Sequence, residues 1–305
     1  MRRIITRNWI SGITKKLQWF KRGAWGIWFI DPPKDVSLDG HRIDSVIQYT
    51  DTVITIYFGI VVLALIYFIF KYRTRPGHKA VYDKGNSKKH VAITVAMGLL
   101  VFFSIDVVIE TMSFRDLKEA FWNFPKGDDV VRIEVMPQQY EWNFRYPGDD
   151  DRFGPESFSD MNSDEVWDED ESFIDANGNG YWDPSDDIVL MSEMHIPVNR
   201  PVVIQIAPYD VIHSFFLPNF RVKIDATPGM VNAMWFQAKE TGVFEIACAE
   251  LCGNSHYMMK GKLVVESEED YNKWLRSQEI EGPRDDWYDP DYGLFHWGWE
   301  WKEVI

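Results

Sequence analysis

The run Cys248-Ala-Glu250-Leu-Cys252-Gly-Asn-Ser-His256-Tyr-Met-Met259 puts two thiols, an imidazole and a thioether within twelve residues. On either side, Gly242-Val-Phe-Glu-Ile-Ala and Lys262-Leu-Val-Val read as strands. Further out, Val131, Ile133 and Val135 alternate with polar residues, and Pro201-Val-Val-Ile-Gln-Ile-Ala and Val231-Asn-Ala-Met-Trp-Phe-Gln follow. Short β-branched and aromatic runs bounded by Pro, Gly or Asn predict an all-β sandwich or barrel from residue 130 to 266.

Soft sulfur with imidazole favours copper, and a weak axial Met is typical of electron-transfer copper sites. A mononuclear site of that kind takes one Cys, one Met and two His. His213, in Asp210-Val-Ile-His-Ser-Phe-Phe-Leu-Pro218, lies at the edge of a predicted strand and supplies the second imidazole. One thiolate is then surplus to a single copper. Two thiolates bridging two coppers, each completed by one His, use all four strong ligands. Taken one at a time, blander readings stand beside this one. Cys-x3-Cys can be a disulfide, Cys2His2 a structural zinc site, and Met259 core filling. His41, His78, His90, His195 and His296 have no such company and read as structural.

The chain has 305 residues, of which 46% are hydrophobic and 26% charged, consistent with a folded protein of about two domains. Two cysteines exclude a disulfide-stapled scaffold, a four-cysteine zinc site and a cysteine-ligated iron–sulfur cluster. A net charge of −15 argues against nucleic-acid binding through a basic face. The charge is uneven. Residues 1–47 carry nine basic and four acidic residues, residues 48–110 seven and four, and residues 111–305 sixteen and thirty-nine.

Val53–Phe70 holds no charge in eighteen residues, and Val91–Ile109 holds one acid, Asp106, in nineteen. A bilayer needs about 20 mostly apolar residues per helix, so residues 48–110 predict a transmembrane hairpin. Asp106 is then expected against protein or at the outer interface. The connecting loop has seven Lys/Arg against Asp83 alone, which marks it as cytoplasmic and puts the acidic remainder outside. The N-terminal segment, residues 1–47, is also basic. Trp9, Ile10, Ile13, Leu17 and Phe20 fall near helical spacing there, as in an interfacial amphipathic helix. No apolar stretch follows its basic residues as in a signal peptide. Residues 111–129 read as a linker.

Two stretches lie outside the strand pattern. Residues 267–305 form an acidic, aromatic tail, and residues 149–187 an insertion with fifteen acids and one Arg. In the insertion, Asp175, Asn177, Asn179, Asp183 and Asp186 take loop positions 1, 3, 5, 9 and 12, Tyr181 offers its carbonyl at 7, and Gly180 stands at 6. That is the EF-hand ligand schedule, with Asp last. Fifteen residues earlier Asp160, Asn162, Asp164, Val166 (carbonyl), Asp168 and Glu171 repeat it, with Glu165 in place of the Gly. Trp167 and Trp182 recur in step. These loops predict bound calcium in a structural role, against the bland reading of a solvated acidic loop.

The chain resembles subunit II of cytochrome c oxidase, in the haem–copper oxidase superfamily. The resemblance rests on the hairpin and on Cys-x-Glu-x-Cys-Gly-x-x-His-x-x-Met, the motif formed by Cys248, Glu250, Cys252, His256 and Met259. Asp210-Val-Ile-His-Ser and Lys223-Ile-Asp225-Ala-Thr-Pro228-Gly229 also match, and about residues 48–266 are covered apart from the insertion. The resemblance implies a cupredoxin-like sandwich with a binuclear, mixed-valence copper A centre. Cys248 and Cys252 would bridge, and His213 and His256 would each ligate one copper. Met259 and the carbonyl of Glu250 would be weak ligands, with the Glu250 side chain on a magnesium shared with subunit I. It further implies electron uptake from cytochrome c, or from a membrane-attached cytochrome c of another complex. The electrons would pass to haem and CuB in subunit I, reducing oxygen to water coupled to proton translocation. Subunit III is a further expected partner, and a bacterial inner membrane the expected location, with the sandwich on the periplasmic side.

The chain departs from the family in places. Tyr140 stands where the family has a Trp that receives electrons, and Trp142 matches the next Trp. Pro-Gly-Arg reads Pro228-Gly229-Met230, and His90 takes the place of a Glu that opens a proton path. Quinol oxidase subunits share the fold but lack the copper ligands. Nitrous oxide reductase needs a second, His-rich copper domain, which seven His cannot build. A copper-delivery or purely structural subunit is the remaining alternative.

Overall fold

A computed structural model describes residues 32–79, 82–148, 151–154, 158–163, 167–175, 180, 182, 187–281 and 301. The predicted amphipathic helix near Trp9 lies outside the described residues. Two compact units are formed. The first holds Arg42–Glu119; the second holds Pro33–His41 and residues from Ala120 onward.

In the first unit, α1 (Gly40–Lys71) and α2 (Lys88–Phe121) are each long and apolar enough to cross a membrane. Their apolar windows bury nothing inside the protein, so Ile54, Phe58, Leu63 and Leu100 are left for lipid. Both helices outrun the apolar sequence. Residues 111–121, expected as linker, continue α2. Hydropathy marks only the part of a helix solvated by lipid. Beyond it the outer turns are held by charge: Arg42 Nη1 reaches Glu119 Oε2 at 2.7 Å and Asp116 Oδ1 at 3.3 Å. Within the spans, α2 widens into a π-turn at Phe102–Asp106. Such a turn frees backbone groups that need partners in lipid. The Tyr49 hydroxyl from α1 donates to the Ser104 carbonyl, and Tyr57 Oη lies 2.9 Å from Ser104 Oγ. Asp106 is exposed on the surface of this chain, in the last turns of the predicted span.

The second unit is the expected sandwich. One sheet has the order β3-β2-β1-β5-β8 and the other β4-β10-β9-β6-β7. In the first, β1 is Val131–Gln138, β2 Glu141–Tyr146, β3 Ile188–Met191, β5 Pro201–Ile206 and β8 Asn232–Gln237. In the second, β4 is Glu193–Pro197, β6 His213–Leu217, β7 Val222–Ala226, β9 Gly242–Cys248 and β10 Lys260–Glu266. Between the sheets Ile133, Val135, Trp142, Phe144, Ile204, Phe215, Leu217, Ile246 and Leu263 are almost fully buried. Truncating an aromatic in such a core costs about 3–5 kcal/mol.

Three additions close on this core. Residues just before α1 lie along the sandwich: Val36 N donates to the Asn219 carbonyl at 3.0 Å and Lys239 N to the Val36 carbonyl at 2.8 Å. The acidic insertion joins β2 to β3. At its root Arg145 pairs with Glu134 and lies 3.5 Å from Asp187, all three nearly buried. The tail begins as helix α3 (Glu268–Glu281). There Trp274 stacks flat on His195, with ring centroids 4.2 Å apart and planes 4° from parallel. His195 also bridges Glu266 (2.9 Å) and Glu193 (3.1 Å), in keeping with a structural role.

Candidate metal centre

Sheet order brings the sequence-distant ligands together. β6 pairs antiparallel with β9, with Phe215 opposite Cys248. His213, the first residue of β6, therefore lies at the sheet end where β9 delivers Cys248. The loop 249–259 then folds back before β10, carrying Cys252, His256 and Met259 with it. A 3-10 turn at His256–Met258 closes this return.

Cys248 Sγ and Cys252 Sγ are 3.9 Å apart. A disulfide needs about 2.05 Å, so both thiols are free. Two metal–thiolate bonds of about 2.3 Å each span such a gap, so one metal can bind both sulfurs. His213 Nδ1 lies 4.0 Å from Cys248 Sγ, and His256 Nδ1 3.6 Å from Cys252 Sγ. The imidazoles thus stand at opposite thiols. Met259 Sδ lies 3.7 Å from Cys252 Sγ and is buried, and the Glu250 carbonyl oxygen lies 3.2 Å from Cys248 Sγ. The Glu250 side chain is exposed. His213, Cys248 and Cys252 form a group able to hold a metal ion, and no other such His/Cys/Asp/Glu group occurs among the described residues. The donor set, two free thiols with an imidazole near each and a buried thioether, fits a soft metal such as copper.

Electrostatics separate the two thiols. Burial opposes ionisation of Cys248, but hydrogen bonding from His213 and from the Ser214 and Glu250 backbone outweighs it and holds the thiol down to about 6. Burial pushes Cys252 up to about 11, and the neighbouring Cys248 charge adds to the rise. Burial lowers the His213 imidazole, yet Cys248 and Asp210 raise it overall.

Several neighbours complete the site. Trp142 is fully buried and meets Phe215 edge-on at 5.3 Å and His213 at 6.3 Å. It is a wall of the centre, whereas Tyr140 is only half-buried. A Cβ on Gly253 would fall 2.5 Å from Tyr140 Oη, and the φ of Gly253 is +139°. Only glycine lets this loop approach Tyr140 so closely. Sequence reasoning gave no role to Asp210 or Gln139. Asp210 Oδ1 is 2.8 Å from His213 Nε2, and its Oδ2 accepts from the Gln139 backbone N–H at 2.7 Å. An Asp three residues before a ligand His is the only signal the sequence carried for either.

Of the candidate calcium ligands in the insertion, Asp160, Asn162, Asp168, Glu171 and Asp175 are among the described residues. Asp164, Val166, Asn177, Asn179, Tyr181, Asp183 and Asp186 lie outside them. Glu171 accepts from the Met161 and Asp168 backbone N–H groups at 2.7 and 3.3 Å. Asp175 Oδ2 accepts from Gly180 N–H at 2.9 Å, and Gly180 has φ +83°.

The molecule so defined is a two-helix membrane protein carrying an outer β-sandwich, with two thiols, two imidazoles and a thioether gathered at one end. Residues 131–267 match the family described as cytochrome c oxidase subunit II, periplasmic domain. The alternative cytochrome c oxidase subunit 2 of Bradyrhizobium diazoefficiens is 32% identical over 247 residues, covering 78% of this chain and 80% of that protein. Cytochrome c oxidase subunit 2 of Cereibacter sphaeroides is 30% identical over 259 residues, covering 82% and 79%. The solved periplasmic domain of subunit II of cytochrome oxidase from Bradyrhizobium japonicum is 29% identical over 52% of this chain and 99% of that one, with a TM-score of 0.36. The chain belongs to the cytochrome c oxidase subunit 2 family.

Proposed function

We propose that the chain is the electron-accepting subunit of a respiratory cytochrome c oxidase in a bacterial inner membrane. Cys248 and Cys252 would hold a binuclear copper A centre, with His213 and His256 as one further ligand each and Met259 and the Glu250 carbonyl as weak ones. When bound, this centre takes up and gives off single electrons with little change in its bonds. The protein contributes rigidity. His213 and Met259 are buried and the loop is tied to two strands, so the ligands need not rearrange on reduction. Electrons arrive from a c-type cytochrome on the side of Tyr140, with Trp142 behind it as part of the wall. They leave for the haem and CuB of subunit I, where oxygen is reduced and protons are translocated. Subunit III completes the assembly, and the Glu250 carboxylate serves a magnesium shared with subunit I. The insertion binds calcium through the ligands named from Asp160 to Glu171 and from Asp175 to Asp186.

The observation that carries this reading is the pair of unlinked sulfurs 3.9 Å apart with an imidazole at each. Copper analysis and electron paramagnetic resonance of the purified protein test it. Two coppers per chain, with one unpaired electron shared over both nuclei, are expected. One copper, or a Cys248–Cys252 disulfide in active enzyme, would overturn it. Met259→Leu should keep both coppers and shift the reduction potential, because a weak thioether ligand would tune potential more than assembly.

A further inference from the structure

The end of the sandwich that carries the cysteines is assembled from three separate segments. These are the β1–β2 turn at Gln138–Glu141, the stretch ahead of β6 around Asp210, and the loop 249–259. No covalent bond fixes one against another. Two side chains do so by hydrogen bonds. Asp210 Oδ1 accepts from His213 Nε2 (2.8 Å) and from Val211 N–H (2.6 Å). Asp210 Oδ2 accepts from the backbone N–H of Gln139 (2.7 Å). The Gln139 side-chain amide in turn donates to the carbonyl of Cys252. A continuous relay thus runs from one proposed ligand, His213, through Asp210 and Gln139 to another, Cys252.

We propose that Asp210 and Gln139 are positioning residues that hold the first imidazole and the second thiolate of the copper centre at a fixed separation and seat Tyr140 against the same loop. Asp210 is the orienting carboxylate of a carboxylate–histidine–metal arrangement. By accepting the Nε2 proton it fixes the tautomer that leaves the Nδ1 lone pair on the side of Cys248. Its second oxygen carries that constraint to Gln139. Gln139 carries it across to the copper loop at Cys252, next to the glycine on which Tyr140 rests. A ligand set that can drift must reorganise at each electron transfer; the relay removes that freedom from His213 and Cys252 together. Both carboxylate oxygens of Asp210 are engaged by groups of this chain.

The inference rests on the copper reading above, and the experiment separates the two. Full-length chain in detergent is stripped of metal with a chelator and titrated with copper, for the wild type and for Asp210→Asn, Gln139→Ala and the double variant. Loss of a partner behind a ligating His costs about 10–100-fold in metal affinity, and a loss in that range is expected for Asp210→Asn. Its copper hyperfine pattern should become asymmetric, because only the His213 copper loses its support. Gln139→Ala should weaken binding less and slow reduction by the donor. The double variant should be clearly less than additive, because both residues act through one relay. Melting of the metal-free variants checks that the fold is intact. Wild type that binds no copper would overturn the copper reading itself. Copper-binding wild type with Asp210→Asn unchanged in affinity and spectrum, or strict additivity in the double variant, would overturn the positioning role.

Discussion

Trp167 and Trp182 lie face to face, with ring centroids 5.2 Å apart and planes 15° from parallel, although fifteen residues separate them. Each is the eighth residue of its acidic loop. Phe158 and Phe173, each two residues before its loop, form an antiparallel β-bridge. The two repeats therefore meet through equivalent positions, as two copies related by approximate two-fold symmetry would. Fifteen acids in thirty-nine residues repel one another unless cations neutralise them. Calcium should quench or shift the tryptophan emission and protect residues 149–187 from protease, and chelator should reverse both. Asp175→Ala should lower the calcium content. Equal cleavage with calcium and chelator would remove calcium from the account.

The two thiols should react in a fixed order in metal-free protein. Cys248 is held near 6 and partly exposed, so its thiolate predominates at neutral pH; Cys252 is pushed to about 11 and buried. The thiolate is the nucleophile. Iodoacetamide at pH 7 should modify Cys248 first, its rate rising as pH climbs through the depressed value and then levelling. Cys252 should stay protected until much higher pH. Copper binding at pH 8 should release protons, chiefly from Cys252, because ligands must be deprotonated. Mass spectrometry of the alkylated peptide and a pH-stat during copper addition check both statements.

Gly253→Ala is the sharpest steric test of the site. The added methyl would sit 2.5 Å from Tyr140 Oη and 2.7 Å from Gln139 Nε2, at a φ that side chains rarely adopt. Backbone strain of that kind costs about 1–3 kcal/mol. The variant should melt lower, and reduction by the donor should slow because Tyr140 is displaced. Adding Tyr140→Phe, which removes the clashing oxygen, should recover part of the stability as read by thermal melting.

The loop between α1 and α2 should face the cytoplasm. Lys71 lies 4.9 Å from the Tyr67 ring centroid at the end of α1, an aromatic and basic anchor suited to a membrane interface. A single Asn86→Cys probe should resist membrane-impermeant maleimide in intact cells and react after permeabilisation. Labelling from outside would reverse the topology.

The thiol-rich loop was legible because its chemistry is local: Cys248, Cys252, His256 and Met259 lie within one turn-rich run, and their spacing alone brings them together. The two membrane helices were legible because lipid imposes one plain requirement, about 20 apolar residues. Their outer ends were not, since Arg42, Asp116 and Glu119 look like linker until α1 and α2 bring them within ion-pair reach. Strand β2 alternates polar and aromatic residues over Glu141–Tyr146, but Asn143 and Arg145 are buried along with the aromatic residues, so the alternation does not tell which face meets solvent. The start of α3 was hidden as well, because its docking depends on Trp274 finding the face of His195.

By itself, then, the sequence determined the types of donor gathered in the thiol-rich loop, the hairpin and the strand-rich class, all of which follow from neighbours along the chain. Tertiary structure alone decided that His213 meets Cys248, that Asp210 and Gln139 link His213 to Cys252, and that Tyr140 rests on Gly253. Those contacts join residues up to 113 positions apart. Their partners are chosen by the pairing of β6 with β9 and by the packing of two sheets, which no local pattern encodes.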